Sequence, residues 1–302
     1  MDTDKYKALL SAIETGSLSA AAARPGFTGG RAAAELDYTP SGISRAVASL
    51  EESLGFSLLV RKKSGVLPTE ECQLLLPLFR NLIHTQEQID QTAARICGLE
   101  TGSVTIGTAY SPYYPVLSRR IMEFQALHPD ISVRLIEGTS SHLCSLLQEQ
   151  ALDFCIISRR DGIDTFIPLC EDTICIWVPQ SHPAVEMGIY PLQDLANENY
   201  ISIHPNMETD NSRLLAKHHI TPHICASTSD VPAAWTMVAA GMGVTLINRI
   251  LSRQWDGPVV TLPLDASPSF EIGIAAPVRE MQSPAAAELM KFMQKDLIHA
   301  FQ

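Results

Sequence analysis

The stretch YTPSGISRAVASLEESLGFSLLVRKKSGVL, residues 38–67, decides the fold of the N-terminal part of the chain. Thr39 carries the hydroxyl of a helix N-cap, and Pro40 suits the first helical position, where its missing N–H would have no partner anyway. Ile43, Val47, Leu50 and Leu54 then recur at spacings of four, three and four, one apolar face of a helix. Gly55 closes that helix. Phe56 to Arg61, the basic Lys62-Lys63-Ser64-Gly65 and Val66-Leu67 predict two short strands joined by a basic tip, a small wing.

Toward the N-terminus, Tyr6, Leu9, Leu10 and Ile13 predict one face of a first helix, which Gly16 ends; Ser17 or Ser19 can cap whatever follows. On the other side Thr69 can cap a long helix opening with Glu70 and Glu71. Within it Leu75, Leu78, Leu82, Ile89, Ala93 and Ile96 recur at three, four, seven, four and three, with Gln86 in the gap. No neighbouring helix in sequence would bury that seam, so it suits pairing with a second helix. Pro77 lies inside the pattern and predicts a kink or a later start.

From Gly102 strands and helices alternate: Val104 to Gly107, Pro115 to Leu127, Ile131 to Ile136, Ser140 to Gln150 and Asp153 to Ser158. Such a run implies a parallel sheet with crossover helices. Ile174 to Pro179, Tyr200 to Ile203, Pro232 to Gly241, Val244 to Ile247 and Glu271 to Ala276 continue it, with a terminal helix from Pro284 to Phe301. This many strands fit two lobes better than one sheet.

Composition bounds the function. The chain has 302 residues and a formal net charge of −11, but the acidity is uneven. Residues 1–63 carry eight Lys and Arg against seven Asp and Glu, and the remainder 14 against 26, which permits nucleic-acid binding at the N-terminal end. No apolar run of membrane-spanning length occurs. The opening twenty residues read as an amphipathic helix rather than a secretory signal, so a cytoplasmic protein is expected. The seven cysteines are odd in number and never in a C-x-x-C pair, which reads as buried thiols.

In their order and spacing these residues resemble the LysR-type transcriptional regulator family over nearly the whole chain. The resemblance rests on Glu14-Thr15-Gly16-Ser17-Leu18-Ser19, Ala33-Ala34-Glu35-Leu36, residues 38–45, Leu50-Glu51-Glu52-Ser53-Leu54-Gly55 and Leu59-Val60-Arg61. In the second half it rests on Ile106-Gly107, His128-Pro129, Leu152-Asp153, His182-Pro183 and residues 238–244. The resemblance implies an α/β protein with an N-terminal all-α winged helix-turn-helix (1–68), a linker and dimerisation helix (69–97) and a two-lobed, periplasmic-binding-protein-like (type 2) effector domain (103–302). The first lobe would comprise 103–170 and 278–302, and the second 171–277. One departure is clear. About eleven residues at 20–30 are extra, and AAAARPGFTGG resembles the adjoining RAAAELDYTPS, as a local duplication would. The first helix of the helix-turn-helix then either starts at Arg31 or is joined by an additional short helix, and Arg24 or Arg31 could reach DNA.

The same resemblance implies a sequence-specific DNA-binding regulator whose DNA binding a small polar or anionic effector modulates. The helix from Pro40 to Leu54 would enter the major groove of double-stranded DNA at a pseudo-palindromic promoter site. Thr39, Ser41, Ser44 and Arg45 would lie toward base edges and phosphates, with Arg61, Lys62 and Lys63 of the wing on phosphates. Effectors in open α/β sheets bind beyond the carboxyl ends of strands. That rule nominates Thr108, Tyr110, Ser111, Thr139, Ser140 and Arg159 from the first lobe, and Ser202, His204, Asn206, Ser229 and Asp230 from the second. A homodimer, and in this family a homotetramer, is implied, with no cofactor, metal or membrane partner.

Rival functions find less support. There is no G-x-S-x-G, P-loop or H-E-x-x-H, so no enzyme is expected. His204, His218, His219 and His223 cluster, but Pro222 interrupts the helix that would align His219 with His223 on a metal. A redox sensor would need paired cysteines; Cys170 and Cys175 in one strand would face opposite sides. The alternative is a small-molecule-binding protein or redox sensor of this fold whose DNA head the insertion has altered.

Overall fold

A computed structural model describes residues 3–23, 39–62, 65–96, 101–266 and 269–300. Helix α1 (Asp4–Thr15) ends at Gly16, which is left-handed at φ 64°, and α2 (Leu18–Ala23) turns back against it. Helix α3 (Pro40–Leu54) opens as its cap predicts, with Gly42 N donating to Thr39 Oγ1 at 3.2 Å, and closes on Gly55. Leu9, Ala12, Ala21, Ile43, Val47 and Leu50 share one core. Leu10 stays outside it, because the inner face of α1 runs through the small Ala8 and Ala12, where α2 and α3 close in. Helix α2 therefore uses the first of the two alanine-rich copies. The candidate contacts Arg24 and Arg31 lie outside the described residues.

The wing pairs β1 (Leu59–Lys62) with β2 (Gly65–Pro68) in antiparallel register. Glu51 anchors it to α3, its Oε1 accepting from Leu58 N at 2.6 Å and Leu59 N at 3.1 Å. Gly65 is required here: φ is 130°, and a Cβ would lie 2.2 Å from Gly16 O. Lys63, at the tip, is outside the described residues.

Helix α4 (Glu70–Ile96) runs through Pro77 without a break. Proline there removes one backbone donor, but the helix is clamped on both sides. Leu75, Leu76 and Phe79 pack into the head core, and Arg80 pairs with Glu149 of the effector domain.

That domain opens with β3 (Gly102–Thr108), α5 (Tyr114–Leu127), β4 (Ile131–Glu137), α6 (Ser140–Gln148) and β5 (Phe154–Ser158), with β3 parallel to both β4 and β5. A long strand, β6 (Thr165–Pro179), leads to α7 (Ala184–Met187), β7 (Asn199–Ile203), α8 (Asp210–Lys217), β8 (His223–Thr228), α9 (Val231–Ala239), β9 (Thr245–Asn248) and α10 (Arg249–Ser252). Strands β10 (Val259–Pro263) and β11 (Ser269–Ala276) and helix α11 (Pro284–His299) finish the chain. The first half of β6 pairs with β11, and its second half with β9 and β10, so one strand crosses between two lobes. Ile174, Ile176, Tyr200, Val244 and Leu246 fill the second core, and Val104, Ile106, Phe154, Leu289 and Met293 the first. Ile272, Ile274 and Ala276, inside the span 171–277 assigned to the second lobe by sequence, pack in the first core, since β11 also pairs with β5. The return crossing therefore falls at the start of β11, where Phe270 packs against both cores.

Candidate functional site

Two surfaces carry the chemistry that the sequence nominated. On the head, Thr39, Ser41 and Arg45 are exposed along the opening turns of α3, opposite the buried Ile43, Val47 and Leu50. Thr39 Oγ1 and Ser41 Oγ share a hydrogen bond of 2.9 Å, and Arg45 Nε donates to Ser41 O at 3.3 Å. The wing reaches the same face: Arg61 Nη2 donates to Ser44 Oγ at 3.2 Å, and Lys62 is exposed beside it. Folding thus brings Thr39, Ser41, Ser44, Arg45, Arg61 and Lys62 together as one hydroxyl-rich, cationic surface.

The second surface lies where the carboxyl ends of β3, β4 and β5 meet the second lobe. Thr108 is buried and accepts Tyr110 N through Oγ1 at 3.2 Å, which fixes the turn. Thr139 caps α6, accepting from His142 N at 3.2 Å, and Ser140 Oγ accepts from Ser158 N at 3.1 Å. Tyr110 Oη donates to Asp210 Oδ2 at 2.9 Å, across the lobes. Asp210 Oδ1 also accepts from Ser158 Oγ and Arg160 Nη2, each at 2.7 Å. Burial pushes the Asp210 carboxyl up, but the Arg160 guanidinium and the hydroxyl and guanidinium donors outweigh it and hold it below the usual range. Burial, and then the Asp210 carboxylate, push the Tyr110 phenol well above its usual range, so it stays a donor.

Arg159 takes no part in this cluster. Its Nε donates to Glu271 Oε2 at 2.6 Å and its guanidinium lies 4.2 Å from the Phe166 ring, so it points away. The next residue, Arg160, points inward, because side chains alternate beyond the strand end as they do within it. Ser111 is exposed at the start of the turn before α5. Ser202 is half-buried in β7, and Ser229 and Asp230 are exposed ahead of α9. His204 and Asn206 are left-handed, with φ 56° and 65°, in the turn between β7 and α8. Sequence reasoning missed Ser158, Arg160, Asp210 and Asn248. Only Arg160 left a usable signal, as the alternate residue to Arg159; Asp210 reads as an ordinary first-turn acid after the Thr209 cap.

Cys170 lies against Tyr113 Oη at 3.5 Å on the first core, and Cys175 is buried in the second lobe, so the passage of β6 from one lobe to the other separates them. Among the described residues no group of three His, Cys, Asp or Glu side chains is placed to hold a metal, and no helix is long and apolar enough to cross a membrane.

A winged helical head, one long helix and a two-lobed α/β domain with a polar cleft define a DNA-binding regulator with its own small-molecule-binding domain. Comparison with known families gives the same result. The LysR substrate binding domain matches residues 98–297, and the bacterial regulatory helix-turn-helix of the lysR family matches 27–73. The chain belongs to the LysR family of transcriptional regulators. It is 24% identical to an uncharacterized HTH-type transcriptional regulator, YvbU, of Bacillus subtilis, over 99% of this chain and 100% of that one. It is 25% identical to the malonate utilization transcriptional regulator of Klebsiella pneumoniae, over 78% of each. The crystal structure of full-length CbnR complexed with target DNA shares the fold, with a TM-score of 0.57 at 18% identity, covering 98% of this chain and 99% of that one.

Proposed function

We propose that the chain pairs through α4 into a homodimer, that the dimer lays two copies of α3 on a pseudo-palindromic promoter site in double-stranded DNA, and that a small polar or anionic effector bound between the lobes alters that binding. The observation that carries the DNA reading is the convergence of Ser41, Ser44 and Arg45 with Arg61 and Lys62 on one exposed face of an otherwise acidic chain. Serine and arginine at the start of a recognition helix suit base edges and phosphates, and the wing cations suit the backbone.

Pairing through α4 is supported by an uncovered apolar stripe. Leu74, Leu78, Ile89 and Ile96 are 79%, 60%, 58% and 82% exposed. Their spacings of four, eleven and seven keep them on one face of a helix of 3.6 residues per turn. Such a face seeks a partner. Two of these dimers would give the tetramer common in the family. Effector binding between the lobes is supported by Tyr110, Ser158 and Arg160 donating to Asp210 across the cleft, with Thr108 and Ser140 holding Tyr110 N and Ser158 N beside it. The malonate named for one relative is the kind of ligand such donors suit.

A gel-shift titration against DNA from just upstream of the coding region tests the reading, in wild type and Arg45→Ala. Saturable, sequence-selective binding is expected, and the substitution should cost about 1–3 kcal/mol of it. Equal affinity for any duplex in both proteins would sink the assignment of α3.

A further inference from the structure

Asp210 belongs to the second lobe, yet the first lobe supplies most of what holds it. Ser158 Oγ and Arg160 Nη2 donate to Oδ1, both at 2.7 Å, and Tyr110 Oη donates to Oδ2 at 2.9 Å. From its own lobe Asn248 Nδ2 adds a contact at 3.3 Å. Donors only, one of them a guanidinium, converge on two oxygens; that is the chemistry by which proteins recognise carboxylates. The site is largely withdrawn from water, with the Arg160 and Asp210 side chains 7% and 12% exposed. Behind it Arg160 Nε donates to Ser141 Oγ at 3.1 Å, which donates to Glu208 Oε1 at 2.7 Å, so the guanidinium is held in place.

A buried ion pair adds little to stability over apolar packing, because desolvation offsets the attraction. Stability alone gives little reason to place one across a cleft between two lobes. Resting on the reading of this cleft as the effector site, we infer that Tyr110, Ser158 and Arg160 form a carboxylate subsite, that Asp210 fills it in the free protein, and that the effector is a small carboxylate that takes its place. Displacement leaves Asp210 beside an incoming like charge, which drives the second lobe away from the first. Binding then opens the cleft instead of closing it, and the tethered Asp210 competes with the effector at high effective concentration. A cationic effector would behave in the opposite way, using Asp210 as its partner.

The test titrates acetate, malonate and benzoate, against chloride at matched ionic strength, into the full chain. Wild type, Asp210→Asn and Asp210→Ala are compared by calorimetry and by Tm. Asp210→Asn should bind at least one of the acids about tenfold tighter than wild type, because its competitor is gone. Acetate should raise the Tm of Asp210→Ala by refilling the space, and adding Arg160→Gln should erase both effects. No gain over wild type, a gain that survives the loss of Arg160, or binding that Asp210→Asn abolishes would each overturn the assignment. Should neither variant fold, wild type decides: hydrogen exchange at amides 209–213 should rise with the carboxylates and not with chloride, and no rise overturns it. DNA binding by the same proteins keeps the two readings apart. Arg160-dependent uptake without any change in DNA affinity would leave the subsite standing and remove the regulatory reading of the cleft.

Discussion

Arg45 and Lys62 lie on the same face, and the proposed DNA complex gives them different tasks. Arg45 sits within the second turn of α3, where a side chain can reach a base edge, and its Nε bond to Ser41 O holds the guanidinium near the helix start. Lys62 is an exposed point charge on the wing. Its loss should weaken binding evenly across sequences and reduce the slope of log affinity against log salt by about 1, which titrations at several salt concentrations would measure. Loss of Arg45 should fall on the specific site. The caps around these residues were legible in the sequence: Thr39 and Gly55 sit where their side chain and backbone chemistry require. Arg160 and Asp210 were not. A strand end with two arginines after it does not say which one turns inward, and Asp210 reaches the cleft through the relative placement of two lobes, which no local pattern encodes.

Helix α4 shows how far an apolar pattern can be read without its surroundings. The sequence seam included Leu75, which in fact packs into the head, while Leu74 next to it is exposed. Both faces of the helix are apolar for a stretch, and periodicity alone cannot divide them between head and partner. Ile89→Glu places a charge in the exposed stripe away from the head core and should dissociate the proposed dimer while leaving the fold intact; sedimentation would read the change in mass. The same helix carries Glu87, whose carboxyl burial raises to about 7 against the opposing pull of Lys7, 3.9 Å away. A carboxyl held above its unfolded value favours the folded state while protonated. That contribution is full below the unfolded value near 4.5 and is lost as pH rises through about 7. Thermal stability should therefore fall over that window, and Glu87→Gln should flatten the dependence in a pH series of melting curves.

At the scale of the whole molecule, the βαβαβ order and the uneven charge follow from sequence, whereas of the crossing strand β6 only the half from Ile174 to Pro179 is legible there. The alanine-rich duplication does not resolve there. Both copies have the composition of a short helix, and the structure docks the first, Leu18–Ala23, on α1 and α3, while the family helix-turn-helix match begins only at residue 27. Helix α4 touches both halves: Lys7 faces Glu87 from the head, and Arg80 meets Glu149 while Gln88 donates to Met281 O on the first lobe. Helix α4 therefore ties the head to the first lobe through direct contacts. Footprinting of the full chain on DNA upstream of its own coding region tests the central claim most directly. Two protected half-sites about one helical turn, or a multiple of it, apart are predicted, as two copies of α3 across a twofold axis require. A folded, dimeric protein that protects no discrete site would contradict it.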